Sequence, residues 1–235
     1  MKNKKYINYI LAGIVALILI SLSLNTESLE KYLPTKEAVV DYSVDSSDMV
    51  NGQALISEIK KSNLSEKEIT GLIQMREEEK LARDVYTTLG DMWGMKIFSN
   101  ISASEQTHTD AIKTLLLRYD IKDPVLNDTI GVFSSKSMQA LYDSLVQKGK
   151  TSLLEALIVG ATVEDLDIKD LETLKKETVK EDILVTYNNL QKGSRNHLRA
   201  FVKNIQANGG TYTPQYISIG DYNSIISAEQ ERGRY

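Results

Sequence analysis

Cysteine is missing from all 235 residues. Its absence excludes disulfide scaffolds, thiolate metal sites, cysteine nucleophiles and lipoprotein attachment, and it leaves the redox compartment unreadable from thiol usage. Proline is nearly as scarce, with three in the chain, so little in the sequence would interrupt long helices. Histidine occurs twice, as His108 and His197, and any imidazole chemistry has to pass through those two positions. A basic surface is lacking too. The formal charge of −4 already counts Lys2, Lys4 and Lys5 at the extreme N-terminus, and the remainder is more acidic still. An acidic domain without a basic stripe excludes nucleic acid as a partner. There is no internal repeat at a fixed period and no low-complexity tract. A hydrophobic fraction of 42% is enough for a packed core and rules out a disordered chain.

One long apolar run stands out. Behind the N-terminal lysines, Tyr6 to Leu24 carries no charge and approaches the roughly 20 residues that span a bilayer. Residues 1–25 therefore read as a signal peptide or an N-terminal membrane anchor. The run exceeds the usual signal-peptide core, and no small-x-small cleavage site follows it, which favours the anchor. With the lysines held inside, the domain lies outside the cytoplasmic membrane, or is secreted if the segment is cleaved. Residues 26–63 are polar and weakly periodic and read as a linker, with a short helix expected around 53–60. The domain proper is expected over 64–210, followed by a Tyr-rich tail over 211–235 laid in extended form on the helices.

Within 64–210 the fold class is all-α. Ser65-Glu66-Lys67-Glu68 is a capping box that opens a first helix ending near Gly90 to Gly94. Its apolar stripe runs Leu72, Met75, Glu79, Ala82, Tyr86, Leu89, Trp93 at steps of three and four. Glu79 intrudes where leucine would be ordinary, whereas Glu77 and Glu78 are expected to face solvent. A second helix over about 99–119 has the stripe Ile101, Glu105, His108, Ile112, Leu115. A short helix over about 137–147 has the spacing of a packing element. A further helix starts at a second capping box, Ser152 to Glu155, with Glu164 and Asp167 in its stripe. The last, over about 181–206, carries Ser194 and His197 at its midpoint and stops before Gly209-Gly210.

An unpaired buried carboxylate costs several kcal/mol, so four helices with polar groups at matching depth need something to compensate them. Carboxylates and imidazole without sulfur are ligands for iron or manganese, with zinc competing in a test tube. The candidate metal ligands are Glu79, Glu105, His108, Glu164, Asp167 and His197. Glu105 and His108 are an i, i+3 pair able to reach one point. Each piece also has a plainer reading. Glu79 could pair with Arg83 or another Arg, Glu105 and His108 could be a surface polar pair or His108 a satisfied core histidine, and Glu164 and Asp167 could cap or salt-bridge within a solvated face. Coincidence argues against the plainer set, because the only two histidines both fall on core stripes with acids at the same depth in three helices. Tyr86 and Tyr187 lie about a heptad away, placed either to hydrogen-bond to the ligands or simply to fill the core.

The run Glu79-x-x-Ala82-Arg83-x-x-Tyr86, with Ser104-Glu105-Gln106-Thr107-His108, resembles the first two helices of rubrerythrin-type ferritin-like proteins. From Ser65 to Tyr222, including VGATVEDLDIKDL and NLQKGSRNHLRAF, the chain is similar to an uncharacterised bacterial and archaeal family of unknown function placed in the ferritin-like superfamily. The resemblance implies a ferritin-like four-helix bundle, here with an additional short helix and an extended C-terminal tail, around two Fe or Mn ions. One departure stands out: Ser194 occupies the position of the last Glu of the superfamily pattern, which leaves one ion or two open unless Asp167 or a water takes that place. The expected function is a ferroxidase or a peroxide- or oxygen-reducing oxidoreductase at the cell envelope. Its partners would be metal ions, O2 or peroxide, and the cytoplasmic membrane through the N-terminal segment, with a homodimer left open. The alternative is a non-catalytic, metal-stabilised cell-surface binding module.

Overall fold

The computed structural model describes Ile56 and residues 58–232. The expected anchor or signal segment and most of the linker, including most of its short helix, lie outside the described residues. Six helices, and no strand, occur among those described: α1 (Glu66–Trp93), α2 (Lys96–Arg118), α3 (Lys136–Gly149), α4 (Leu153–Lys175), α5 (Glu181–Ala207) and α6 (Ile219–Ser227). No helix among them is long and apolar enough to cross a membrane.

Local chemistry sets the helix limits. At Ser65 both halves of the capping box are made, the side chain accepting from the Glu68 N–H while Glu68 accepts from the Ser65 N–H at 2.7 Å. α1 ends at Gly94, whose φ of 66° is the left-handed conformation that glycine adopts without steric cost. Ser152 caps α4 by accepting from the Glu155 N–H at 3.1 Å, so the expected second box is present on that side.

Four long helices pack so that each is antiparallel to its two neighbours. α1 lies against α2 and α4, and α5 against α4 and α2. Contacts run in opposite order along each pair. Arg83 meets Gln106 and Thr87 meets Ser102 on α2, while Gly71 lies by Leu174 and Tyr86 by Gly160 on α4. Ser104 meets His197 and Arg118 meets Asp182 across α2 and α5, and Gly160 lies by Phe201 and Asp167 by Ser194 across α4 and α5. α2 and α4 therefore run the same way, and the chain between them must travel the length of the molecule. That crossover contains α3, which packs on α1 and α4. Its first part is pinned by buried charges on the back of α1. Arg76 donates to Asp123 at 3.1 Å and Arg83 to Asp128 at 2.8 Å, and Lys80, ion-paired with Asp84, donates to the Thr129 carbonyl at 3.2 Å.

The core is split in two. One apolar cluster gathers Val85, Tyr86, Phe98, Leu157 and Phe201 among others, and a second gathers Leu72, Met75, Ile112, Leu171 and Tyr187. Polar residues occupy the level between them.

The tail departs from the extended path expected for it. It crosses α4 without regular structure, bends over Gln215 to Ile217, then turns into the nine-residue α6, whose N-cap Ser218 accepts from the Asp221 N–H at 3.1 Å. Ser218 and Asp221 form a local start signal that the Tyr-rich composition obscures. Asp165, fully buried, holds the crossing by accepting from the Tyr212 hydroxyl at 2.8 Å and from the N–H groups of Gln215, Tyr216 and Ile217 at 2.5, 3.2 and 2.9 Å. Beyond α6, Glu231 accepts from Arg195 and Arg199 on α5.

Candidate metal centre

Glu79, Glu105, His108, Glu164 and His197 are each no more than 2% exposed, at the level that separates the two apolar clusters. Helix register brings them there. Glu79 replaces a core leucine on α1, Glu105 and His108 share one face of α2, and Glu164 and His197 sit at the midpoints of α4 and α5. They form two groups of three, Glu79 with Glu105 and His108, and Glu105 with Glu164 and His197. In each group one donor atom per residue lies within 4.8 Å of the others. Glu105 belongs to both.

Distances inside the groups are short, and only part of the donor atoms are hydrogen-bonded. Glu105 Oε1 is 2.8 Å from His197 Nδ1, yet both atoms are buried without a hydrogen-bond partner. Glu105 Oε2 is 2.9 Å from His108 Nδ1, which also lies 3.3 Å from Glu79 Oε2. Glu79 Oε1 is a further buried oxygen without a partner. The two imidazoles are nearly parallel, with ring centroids 5.6 Å apart. Carboxylate oxygens and imidazole nitrogens gathered this closely, with Glu79 Oε1, Glu105 Oε1 and His197 Nδ1 unpartnered, are a donor set that could hold a metal ion.

Neighbours fix the orientation of these side chains. The His197 Nε2 faces the Ser104 hydroxyl at 3.1 Å, leaving Nδ1 turned toward Glu105 and Glu164. The Tyr86 hydroxyl donates to Glu164 Oε1 at 2.6 Å. The Cε1–Nε2 edge of His108 abuts Gly193 of α5, where an added Cβ would come within 2.6 Å of the ring. Glycine inside a helix costs about 1 kcal/mol relative to alanine, and the space it leaves for the imidazole is a reason for its presence.

Electrostatics follow from burial. Removal from water pushes the Glu79 and Glu164 carboxyls above their ordinary values, those two charges being offset only in part by the histidines. Burial also disfavours the charged form of Glu105, but His108 and His197 on either side outweigh it and hold that carboxyl well below the usual range. Burial alone would lower both imidazoles. The facing carboxylates reverse this, lifting His108 well above its ordinary value and His197 to about 9.

Asp167, the sixth expected ligand, stands apart from both groups of three. It takes the hydroxyl of Ser194, the residue found where a glutamate was expected, and burial raises its carboxyl to about 8. Tyr187 does not reach the site, its hydroxyl lying near Gly71 without a partner. Arg83 is not the partner of Glu79, being engaged by Asp84, Gln106 and Asp128. The expectation that Glu77 and Glu78 face solvent is corrected for both, since each is half-buried and Glu78 Oε2 has no hydrogen-bond partner. α3 and the tail cover the flank of α1 on which they stand, a tertiary effect that helical periodicity cannot carry. Ser104, Gly193 and Asp165 were not singled out from the sequence. The mid-helix glycine was the one local signal available.

A cavity of about 60 Å³ reaches the site between α1, α3 and α4. Its walls are apolar on the α3 side, with Met138, Leu141 and Leu145, and acidic toward Glu79, Glu105 and Glu164. That volume admits a few molecules the size of water.

A family profile described as "Uncharacterized protein domain (DUF2202)" matches residues 68–229. The uncharacterized protein MJ0754 of Methanocaldococcus jannaschii is 58% identical over 178 residues, which are 76% of this chain and 96% of that protein. The crystal structure of hypothetical protein MJ0754 from Methanococcus jannaschii is similar with a TM-score of 0.73 at 57% identity, over 74% of this chain and 99% of the other.

Proposed function

The chain belongs to the DUF2202 family, and we propose that its four long helices are a ferritin-like four-helix bundle holding two iron or manganese ions for the reduction of oxygen or peroxide. The observation that carries this reading is the sharing of Glu105 between two buried three-residue groups in which Glu79 Oε1, Glu105 Oε1 and His197 Nδ1 are left without a hydrogen-bond partner. A salt-bridge network of the same composition would satisfy those atoms. The topology agrees, since one long crossover between parallel helices is the connection of ferritin-like folds.

Glu79, Glu105 and His108 would hold one ion, and Glu105, Glu164 and His197 the other. Bound there, the metals supply the redox change and Lewis acidity. The chain's own residues do the rest. Ser104 sets the His197 ring, Tyr86 sets Glu164, and the apolar clusters above and below exclude bulk water. Asp167, raised to about 8, holds a proton on its carboxyl at neutral pH beside the cavity. A cavity of about 60 Å³ has room for molecules of the size of O2 or peroxide, which supports that substrate class. The charge-free run Tyr6 to Leu24 supports placing this domain outside the cytoplasmic membrane.

The test is consumption of O2 or peroxide by the full chain loaded anaerobically with Fe(II). Turnover faster than that of free Fe(II), and lost in Glu105→Ala, is expected. Retention of metal without turnover would reject the oxidoreductase and favour the metal-stabilised module.

A further inference from the structure

Two segments outside the four long helices fasten those helices from behind, and they divide the metal centre between them. The crossover is tied to α1 at Arg76, Lys80 and Arg83, on either side of Glu79, and Arg83 also reaches Gln106, the neighbour of Glu105. The tail is tied to α4 and α5, the helices of Glu164 and His197. Its anchors there, Thr162, Asp165, Arg195, Asn196 and Arg199, all lie within two residues of those ligands in sequence.

On α4 the main anchor is Asp165, which follows Glu164 directly. While Glu164 enters the centre, the fully buried Asp165 accepts from the Tyr212 hydroxyl at 2.8 Å and from the Ile217 N–H at 2.9 Å. Gln215 adds a hydrogen bond to the Thr162 hydroxyl at 3.1 Å. On α5 the anchors bracket His197. Asn196 holds the Glu231 backbone twice, donating to its carbonyl at 3.1 Å and accepting from its N–H at 3.0 Å. The Glu231 carboxylate takes Arg195 on both oxygens, at 2.7 and 2.5 Å, and Arg199 at 3.0 Å. Arg199 donates as well to the Ile225 carbonyl of α6, at 3.0 Å. Helical residues two apart point about 200° from each other, so Arg195 and Arg199 face away from His197, and the turn they hold is the turn that aims the imidazole. A bidentate arginine–carboxylate pair fixes orientation as well as distance.

We propose that residues 212–231 are a strap that aims Glu164 and His197, and that Asp165 and Glu231 are positioning residues for the ion those two ligands share with Glu105, and not for the ion of Glu79 and His108. The strap rests on the two-ion reading given under Proposed function. It adds that the two ions depend on different segments of the chain, the first on the crossover and the second on the tail.

The experiment is calorimetric titration of the metal-free full chain with Mn(II), comparing wild type with Glu231→Gln. Glu231 is chosen over Asp165 because it lies on the outside of α5, a quarter exposed, where its replacement leaves the bundle folded; a melt of the metal-free variant checks this. One equivalent should keep its wild-type affinity and the other should weaken about tenfold, the lower end for loss of a group that orients a ligand. Glu164→Ala in the same chain should delete the weakened equivalent and keep the other. Equal weakening of both equivalents by Glu231→Gln would overturn the strap by showing a general loosening of the bundle, and weakening of neither would overturn it by making the tail a mere cover. Loss of both equivalents in Glu164→Ala would overturn it too, because ions that bind only as a pair leave the tail no single ion to serve. Wild type that binds no Mn(II) at all would instead fail the metal reading itself, and the strap with it.

Discussion

Glu105 lies between two imidazoles and reaches both ligand groups, so its single charge does the work that would otherwise need two carboxylates. Its buried place was legible in the sequence because a glutamate and a histidine three residues apart interrupt an apolar stripe. The stripes carry Glu79, Glu164 and His197 in the same way. Asp167 was legible as a core acid, but its engagement by Ser194 depends on α4 and α5 meeting in a particular register, which no single helix encodes. Gly193 was legible only as an oddity. Its lack of a side chain matters through His108, a residue 85 positions earlier, and this yields a test at the same scale. Gly193→Ala should improve helix propensity by about 1 kcal/mol while forcing the ring, within 2.6 Å of the new carbon, off its position. Overpacking of this kind costs about 1–3 kcal/mol, and displacing a ligand costs metal affinity about tenfold or more. Calorimetric titration with Mn(II) beside a melt of the metal-free protein reads both effects. Unchanged affinity would show that His108 is not held by this contact.

Among the elements, α1 to α5 begin and end close to where caps, glycines and hydrophobic periodicity place them, because those signals act within a turn of the boundary. α6 and the burial of Arg76, Lys80 and Asp84 were not legible. A charged face next to an apolar stripe looks solvated until the crossover folds over it, and the crossover brings its own acids, Asp123 and Asp128, to match. The tail is docked by the same logic at Glu231. Burial would raise this carboxyl, but Arg195 and Arg199 outweigh it and bring it from the ordinary 4.5 to about 2. A depressed folded value means that the stabilisation is complete above the ordinary carboxylate range and disappears as the pH falls from 4.5 through 2. Glu231→Gln should therefore weaken tail docking by about 1.5–2 kcal/mol at pH 7, the lower part of the range for hydrogen bonds to charged groups. Faster amide exchange in Ile219–Ser227 at pH 7, converging on wild type as the pH drops through that window, is the expected result. A difference that persists at pH 2 would show that the carboxylate charge is not what holds the tail.

For the whole molecule, two apolar clusters are separated by a level of charge that lowers stability unless something occupies it. Chain connectivity serves that level, since the crossover and the tail close over the sides of the helices and leave a cavity of about 60 Å³. The all-α class was legible from composition and periodicity. The path of the crossover was not, because the segment from Tyr119 to Ser152 carries no pattern that tells which neighbour it will pass. The most direct test is metal content. The full chain is stripped with chelator, reconstituted anaerobically with Fe(II) or Mn(II), freed of unbound ions and analysed. Two equivalents per chain, both lost in Glu105→Ala because that residue serves both groups, is the expected result. Less than about a tenth of an equivalent in wild type, the background of a genuine site, would contradict the account and return these carboxylates and histidines to a buried hydrogen-bond network.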